Sequence, residues 1–164
     1  MRIKNTIILS LALVTMLCLA SCSVNHGEYY KKYLTYKDYF GSRVYSTIDY
    51  QCSEEERTEV SEVITLAEQV FSYVGTEENA NKNVGALFKY YRYTDTFSFA
   101  SADFKLDLIT AKVNRNSGYM WVVYSVDRYD SNGNIVSGSS DIPCYWKIEK
   151  KDDQWTVIDT IEPA

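Results

Sequence analysis

Cysteine, aspartate and histidine are the side chains here whose chemistry reaches beyond packing. Cys22 closes an apolar run and follows Leu19, Ala20 and Ser21 directly. A cysteine thiolate is the side chain best suited to forming a thioether. Cys52 and Cys144 form an even pair, which in an exported, oxidising setting is the arithmetic of a disulfide. No Cys-x-x-Cys or Cys/His cluster marks either as a reactive thiol, and a disulfide and two buried free thiols both stay open. Asp103, Asp107 and Asp127 are candidate general bases, with Tyr91 or Tyr124 as proton donor, provided one of them points into an apolar pocket. On solvated strands they would carry no chemistry. His26 is the only histidine and lies near the N-terminus, which removes Ser-His-Asp and Cys-His nucleophilic schemes and any multi-histidine metal site within one chain. No metal, cofactor or catalytic set is therefore expected. Asp130 to Asn134 (DSNGN) invites a calcium reading, but setting Gly133 at the sixth position of such a loop puts Arg128 first and Ser139 last, where carboxylates are required. It reads as a hairpin turn. The glycines sit at no strand-to-helix junction of the kind that cradles phosphate.

The elements that must position these residues follow from periodicity. Arg2 and Lys4 precede the apolar run Ile7 to Ala20, which is shorter than the roughly 20 residues a spanning helix needs. Tyr29, Tyr33, Tyr36 and Phe40 fall on one helical stripe that ends at Gly41. The stripe suits either the headgroup layer of a membrane or, preferably, packing on the domain. Arg43 to Cys52 reads as extended. Ser53 and Glu56 make a capping box, and Val60, Val63, Ile64, Ala67, Val70, Phe71 and Val74 form an apolar helix face stopped by Gly75. A second helix is expected from Thr76 to Tyr91, weakened by Gly85, then a short strand from Thr96 to Ala100. Phe104, Leu106, Leu108 and Thr110 alternate with Lys105 and Asp107 as a strand that runs on to Arg115. Tyr119 to Tyr129 (YMWVVYSVDRY) is apolar on both faces, as a covered central strand would be. Ile142 to Lys150 puts Cys144, Trp146 and Ile148 on one face, and Trp155 to Ile161 closes the chain. Helices first and an antiparallel meander after them predict an α+β domain with the helices on one face of a curved sheet.

The stretch Leu19-Ala20-Ser21-Cys22, ending an apolar run behind Arg2 and Lys4, resembles the lipobox of bacterial lipoproteins. The resemblance implies a signal peptide over residues 1–21, cleavage before Cys22, and a lipid on the Cys22 thiol. Two or three acyl chains would anchor the chain stably where one would not. The chain has 164 residues, so loss of 21 leaves 143, with 22–52 as lipidated cysteine, tether and Tyr-rich segment and 53–164 as one domain. Arg2 and Lys4 leave with the signal, so 15 basic residues face 22 acidic ones, a net charge of −7. Such a chain is ill-suited to nucleic acid, which needs cations to replace counterions, and its membrane partner is met through the lipid. The expected location is a membrane, on its extracytoplasmic face; in a Gram-negative host the inner and the outer membrane both stay open.

The helix from Glu54 to Val74, the strand YMWVVYSVDRY, the loop DSNGN and the tail CYWKIEKKDDQWTVIDTIEP are similar, in order and length, to the nuclear transport factor 2-like domain of the cystatin-like superfamily. That resemblance implies helices packed into a cone-like sheet, with Tyr91, Trp121, Tyr124 and Trp146 as candidate pocket residues. Tyrosine and tryptophan bind by area with a polar handle, although they fill cores equally well. The function expected is a non-enzymatic binding or accessory module taking a protein partner or a small apolar ligand. The alternative is a pocket enzyme of the isomerase, dehydratase or cyclase type with an aspartate base and a tyrosine donor. A buried carboxylate in a closed apolar pocket would discriminate between them.

Overall fold

A capping box opens the main helical segment. The Ser53 hydroxyl accepts the Glu56 backbone N–H at 3.2 Å, and the Glu56 carboxylate accepts the Ser53 backbone N–H at 2.9 Å. The computed structural model describes residues 36–163. From the box, α3 (Glu54–Glu59) and α4 (Ser61–Phe71) follow, separated at Val60, which stays in the right-handed region at φ −89°, ψ 0°. Val60, Val63, Ala67, Val70 and Phe71 are buried, as their spacing predicts. The helix ends sooner than expected, so Val74 is exposed.

Two short helices precede these, α1 (Lys37–Phe40) and α2 (Ser42–Tyr45), with a 3-10 turn over Ser46–Asp49. Residues 43–52, expected as extended, are thus largely helical. Tyr45 and Ile48, three apart, are the buried pair, which is a helical spacing rather than a strand's. The second expected helix is replaced by 3-10 turns over Glu77–Asn79 and Gly85–Tyr90. Gly85 adopts φ +58°, a left-handed value that no α-helix contains. The short strand expected at Thr96 to Ala100 is instead α5 (Thr94–Phe97), closed by Ser98 in the left-handed region at φ +39°.

Four strands follow in a meander, β1 (Ser101–Asn114), β2 (Ser117–Tyr129), β3 (Ile135–Lys151) and β4 (Gln154–Ile161), paired antiparallel in the order β1-β2-β3-β4. β3 starts seven residues before the alternation suggested, because DSNGN is a tight loop. Asp130 takes the backbone N–H groups of Asn132 and Asn134 on one carboxylate oxygen, and Gly133 sits at φ +83°. Register shifts at Leu108/Thr110, Tyr124/Val126, Arg128/Tyr129 and Lys147/Ile148 bend the sheet, since each extra residue kinks its strand and raises the local twist.

Both faces of the sheet are covered, not one. The α3–α4 face carries the main core, with Met120, Val122, Tyr124, Val126, Cys144, Trp146, Ile148 and Val157 from the sheet. The other face carries Trp121, on which the rings of Phe40 and Tyr45 pack edge-on at 4.8 and 6.1 Å. The Trp121 indole N–H donates to the Thr47 hydroxyl at 2.8 Å, and the Thr110 hydroxyl donates to the Tyr50 carbonyl. Residues 36–52 therefore belong to the domain, which the sequence reading began at Ser53. Of the expected aromatic stripe, Tyr29 and Tyr33 lie outside the described residues, and Phe40 packs on the domain as preferred.

Candidate functional site

The sheet face under α4 is where a pocket is expected, and Phe71 packs there among aromatic rings. The ring of Phe71, delivered by the last turn of α4, lies 4.7 Å from Tyr90, 4.6 Å from Phe104 and 4.7 Å from Tyr124. Tyr91 packs against Tyr73 and Tyr93 at 5.1 and 5.9 Å. Tyr91, Tyr124 and Trp146 share this face and are buried in its core. Trp121 is on the opposite face, so the four candidate pocket residues are not brought together. They are core, and the aromatic packing takes the space a cone would leave open. Residues 121 and 124 are three apart on one strand, and period-two alternation alone separates them.

Cys144 sits among these rings. The Trp146 indole N–H donates to its Sγ at 2.9 Å, and the Tyr90 hydroxyl lies 3.6 Å away. Burial pushes the Cys144 thiol up to about 12. Cys52 is half-buried, and both cysteines are free thiols, so the disulfide alternative is not formed. The geometry explains this: the chain at Tyr50 is tied to Thr110 of β1, whereas Cys144 is on β3, with β2 between them. Two strand spacings are roughly 9.5 Å, beyond the Cα separation a disulfide bridges. Under native conditions a maleimide is expected to modify Cys52 and spare Cys144, which reacts only after denaturation. Intact-protein mass spectrometry counts the adducts, and rapid native labelling of Cys144 would refute its placement.

None of the three candidate bases lies in a closed apolar pocket. Asp103 is exposed and stands opposite Asp127 in the β1–β2 register. The two border a shallow depression of about 140 Å³ shared with Lys105 and Ser125. Asp107 pairs with Lys105 at 3.2 Å. Among the described residues, the buried polar and charged side chains are Thr110 and Arg128, and neither is a carboxylate.

Glu56 does more than the capping box implied. Besides the Ser53 N–H, its carboxylate accepts the Tyr50 hydroxyl at 3.1 Å and the Val113 backbone N–H at 3.2 Å, tying α3 to the edge of β1. Burial pushes this carboxyl up, but those hydrogen bonds together pull it further down, leaving it below the ordinary glutamate value. A cleft of about 540 Å³ opens beside it, bordered by Glu55, Glu59 and Arg115.

The far end of the sheet face under α4 is charged. Tyr124 donates its hydroxyl to Glu162 at 2.8 Å, and Glu162 pairs with Lys89 at 3.7 Å. Burial, followed by the Glu162 contact, pushes the Tyr124 hydroxyl well above the ordinary tyrosine range. Beyond them stand Arg128 on β2, its guanidinium 5.7 Å from the centre of the Phe99 ring, and Arg92, 5.5 Å from the centre of Phe97. The sequence held a sign of Arg128: it shares parity with Tyr124 and Val126, which makes it an inward-facing charge on an apolar strand. Cys22 and the candidate signal lie outside the described residues.

No protein-family model matches this chain, and no curated protein matches it. Among solved structures it is similar to the crystal structure of the intermembrane space region of chloroplast protein ARC6, with a TM-score of 0.45 and 11% identity over 69% of this chain and 99% of that one. A likeness of that size carries no argument about function. Among the described residues, no helix is long and apolar enough to cross a membrane.

Proposed function

We propose that this protein is a bacterial lipoprotein, anchored through Cys22 on the extracytoplasmic face of a membrane, whose α+β domain serves as a non-enzymatic binding or accessory module. The observation that carries the reading is Leu19-Ala20-Ser21-Cys22 placed directly behind an apolar run of signal-peptide length and a positive tip. The finer likeness of the domain to the nuclear transport factor 2-like fold is part of the same reading. Support for binding over catalysis comes from the three aspartates, none of which has the apolar enclosure that turns a carboxylate into a base at neutral pH. The filled sheet face under α4 favours a partner or ligand met at the surface over an apolar molecule held inside a cone.

Cys22→Ala tests the anchor. It is expected to abolish incorporation of labelled palmitate and to stop release of the mature form, with the variant accumulating as precursor. Palmitate incorporation at the wild-type level in Cys22→Ala would refute the reading.

A further inference from the structure

β1 is an edge strand, and only part of its outer edge is covered. Toward its C-terminal end the Thr110 hydroxyl meets the Tyr50 carbonyl, and the Val113 N–H donates to Glu56. From Ser101 to Asp107, nothing among the described residues pairs with that edge. Asp103 and Lys105 are exposed there, and Ala102, Phe104 and Leu106 are half-buried. The Ala100 N–H donates to the Tyr129 carbonyl at 2.7 Å, so the odd residues of β2 turn their backbone groups to β1. Their partners on β1 are odd as well, with Asp103 opposite Asp127 and Lys105 opposite Ser125. Ala102, Phe104 and Leu106 therefore point their N–H and C=O groups outward, and the register shift at Leu108/Thr110 is why Val113, an odd residue, does so too. The other open edge is β3 before Tyr145, where β4 begins to pair. It is interrupted by Asp141 at φ +54° and by Pro143, which has no N–H to give. The edge of β1 carries neither device.

We propose that this edge of β1 pairs antiparallel with the same edge of a second copy of the chain, with Phe104 opposite the partner's Phe104. The charges select that register. It sets Asp103 opposite the partner's Lys105 and Lys105 opposite the partner's Asp103, two ion pairs from one contact, because a two-fold interface repeats every pairing. Moving the centre one residue either way sets Asp103 against the partner's Asp103, or Lys105 against the partner's Lys105. On the opposite face of the strand, Phe104 meets the partner's Phe104 and Leu106 meets the partner's Ala102, which covers side chains that are half-buried in one copy. A lysine on an edge ordinarily deters pairing, but here the incoming strand answers it with an acid. Asp103 supplies a second reason. It stands opposite Asp127, a like-charge pair that a sheet disfavours, and no ion pair among the described residues includes either. The partner's Lys105 brings a cation to Asp103. The pairing goes beyond the binding-module reading and does not rest on the Cys22 anchor, whose palmitate test succeeds or fails separately.

The test is sedimentation equilibrium of the purified protein in density-matched non-ionic detergent, from about 1 μM to about 1 mM, the range of a small, transient interface. A monomer–dimer equilibrium is expected, weakening as salt rises. Asp103→Lys and Lys105→Asp each set like charges opposite one another twice, and each should weaken dimerisation at least about tenfold. Mixed one to one, the two variants should associate with each other, because every charge then faces its opposite. The double variant Asp103→Lys/Lys105→Asp should recover the wild-type affinity for the same reason. Both positions are exposed, so thermal melts close to wild type are expected and confirm that each variant is folded. Three results would overturn the pairing. They are a monomer up to about 1 mM, a dimer of unchanged affinity in both single variants, or no association in the mixture. An edge kept for the strand of another protein gives the first, and a dimer formed elsewhere on the chain gives the second.

Discussion

Phe71→Ala is expected to lower the unfolding free energy by about 3–5 kcal/mol, the range for truncating a buried aromatic ring. That is a large share of the 5–15 kcal/mol that holds a domain of this size. The magnitude follows from position. Phe71 ends α4 and is the ring that Tyr90, Phe104 and Tyr124 all meet, so its removal unsupports a helix, a 3-10 turn and two strands at once. Urea denaturation of the protein measures the loss as a drop in midpoint at unchanged slope. A second readout bears on function. If Phe71 occupies the space that a cone would leave open, its deletion should leave an apolar cavity, and a small apolar molecule such as benzene should recover part of the lost stability. A loss below about 1 kcal/mol, the scale of an ordinary substitution, would mean the ring is not central to the core.

Gly85→Ala should be comparably severe, for a different reason. Gly85 sits at φ +58°, and a Cβ built there would run into the Val157 carbonyl oxygen and the Thr156 methyl group of β4. The left-handed backbone costs roughly 1–2 kcal/mol for a residue with a side chain. Forcing extra volume into a packed site costs typically about 1–3 kcal/mol more. Together these give an expected loss of about 2–5 kcal/mol on the same urea scale, greater still for Gly85→Val. Because the clash is with backbone, rotamer changes cannot relieve it. Gly133, also left-handed at φ +83° but with open space around its Cβ position, is the matched control. Gly133→Ala should show the backbone term alone, about 1–2 kcal/mol. Equal losses at the two sites would show that the contact with β4 contributes nothing.

Gly85 was visible as a residue that weakens a helix, but the reason it must be glycine lies 72 residues away, in the β4 backbone. Phe71 was visible as one more member of an apolar stripe, identical in pattern to Val70 beside it. Only the tertiary fold brings Tyr90, Phe104 and Tyr124 to its ring.

Other elements follow the same division. The capping box at Ser53 and Glu56, the buried face of Val60, Val63, Ala67 and Val70, the two-faced strand Tyr119 to Tyr129 and the DSNGN turn were all legible, because each is decided by residues within one or two turns of chain. The meander order followed from short connections between alternating segments. The proposal for Cys22 and its apolar run rests on sequence alone, since they lie outside the described residues. Tertiary structure decided which side of the sheet each element covers and what each side chain meets there. Trp121 meets Thr47, Glu56 meets Val113, and Arg128 is buried with its Nε unpartnered among the described residues. Periodicity says that two residues of a strand face opposite ways. It does not say what will cover either face, because that depends on partners brought together only when the sheet bends and the chain folds back over both of its sides.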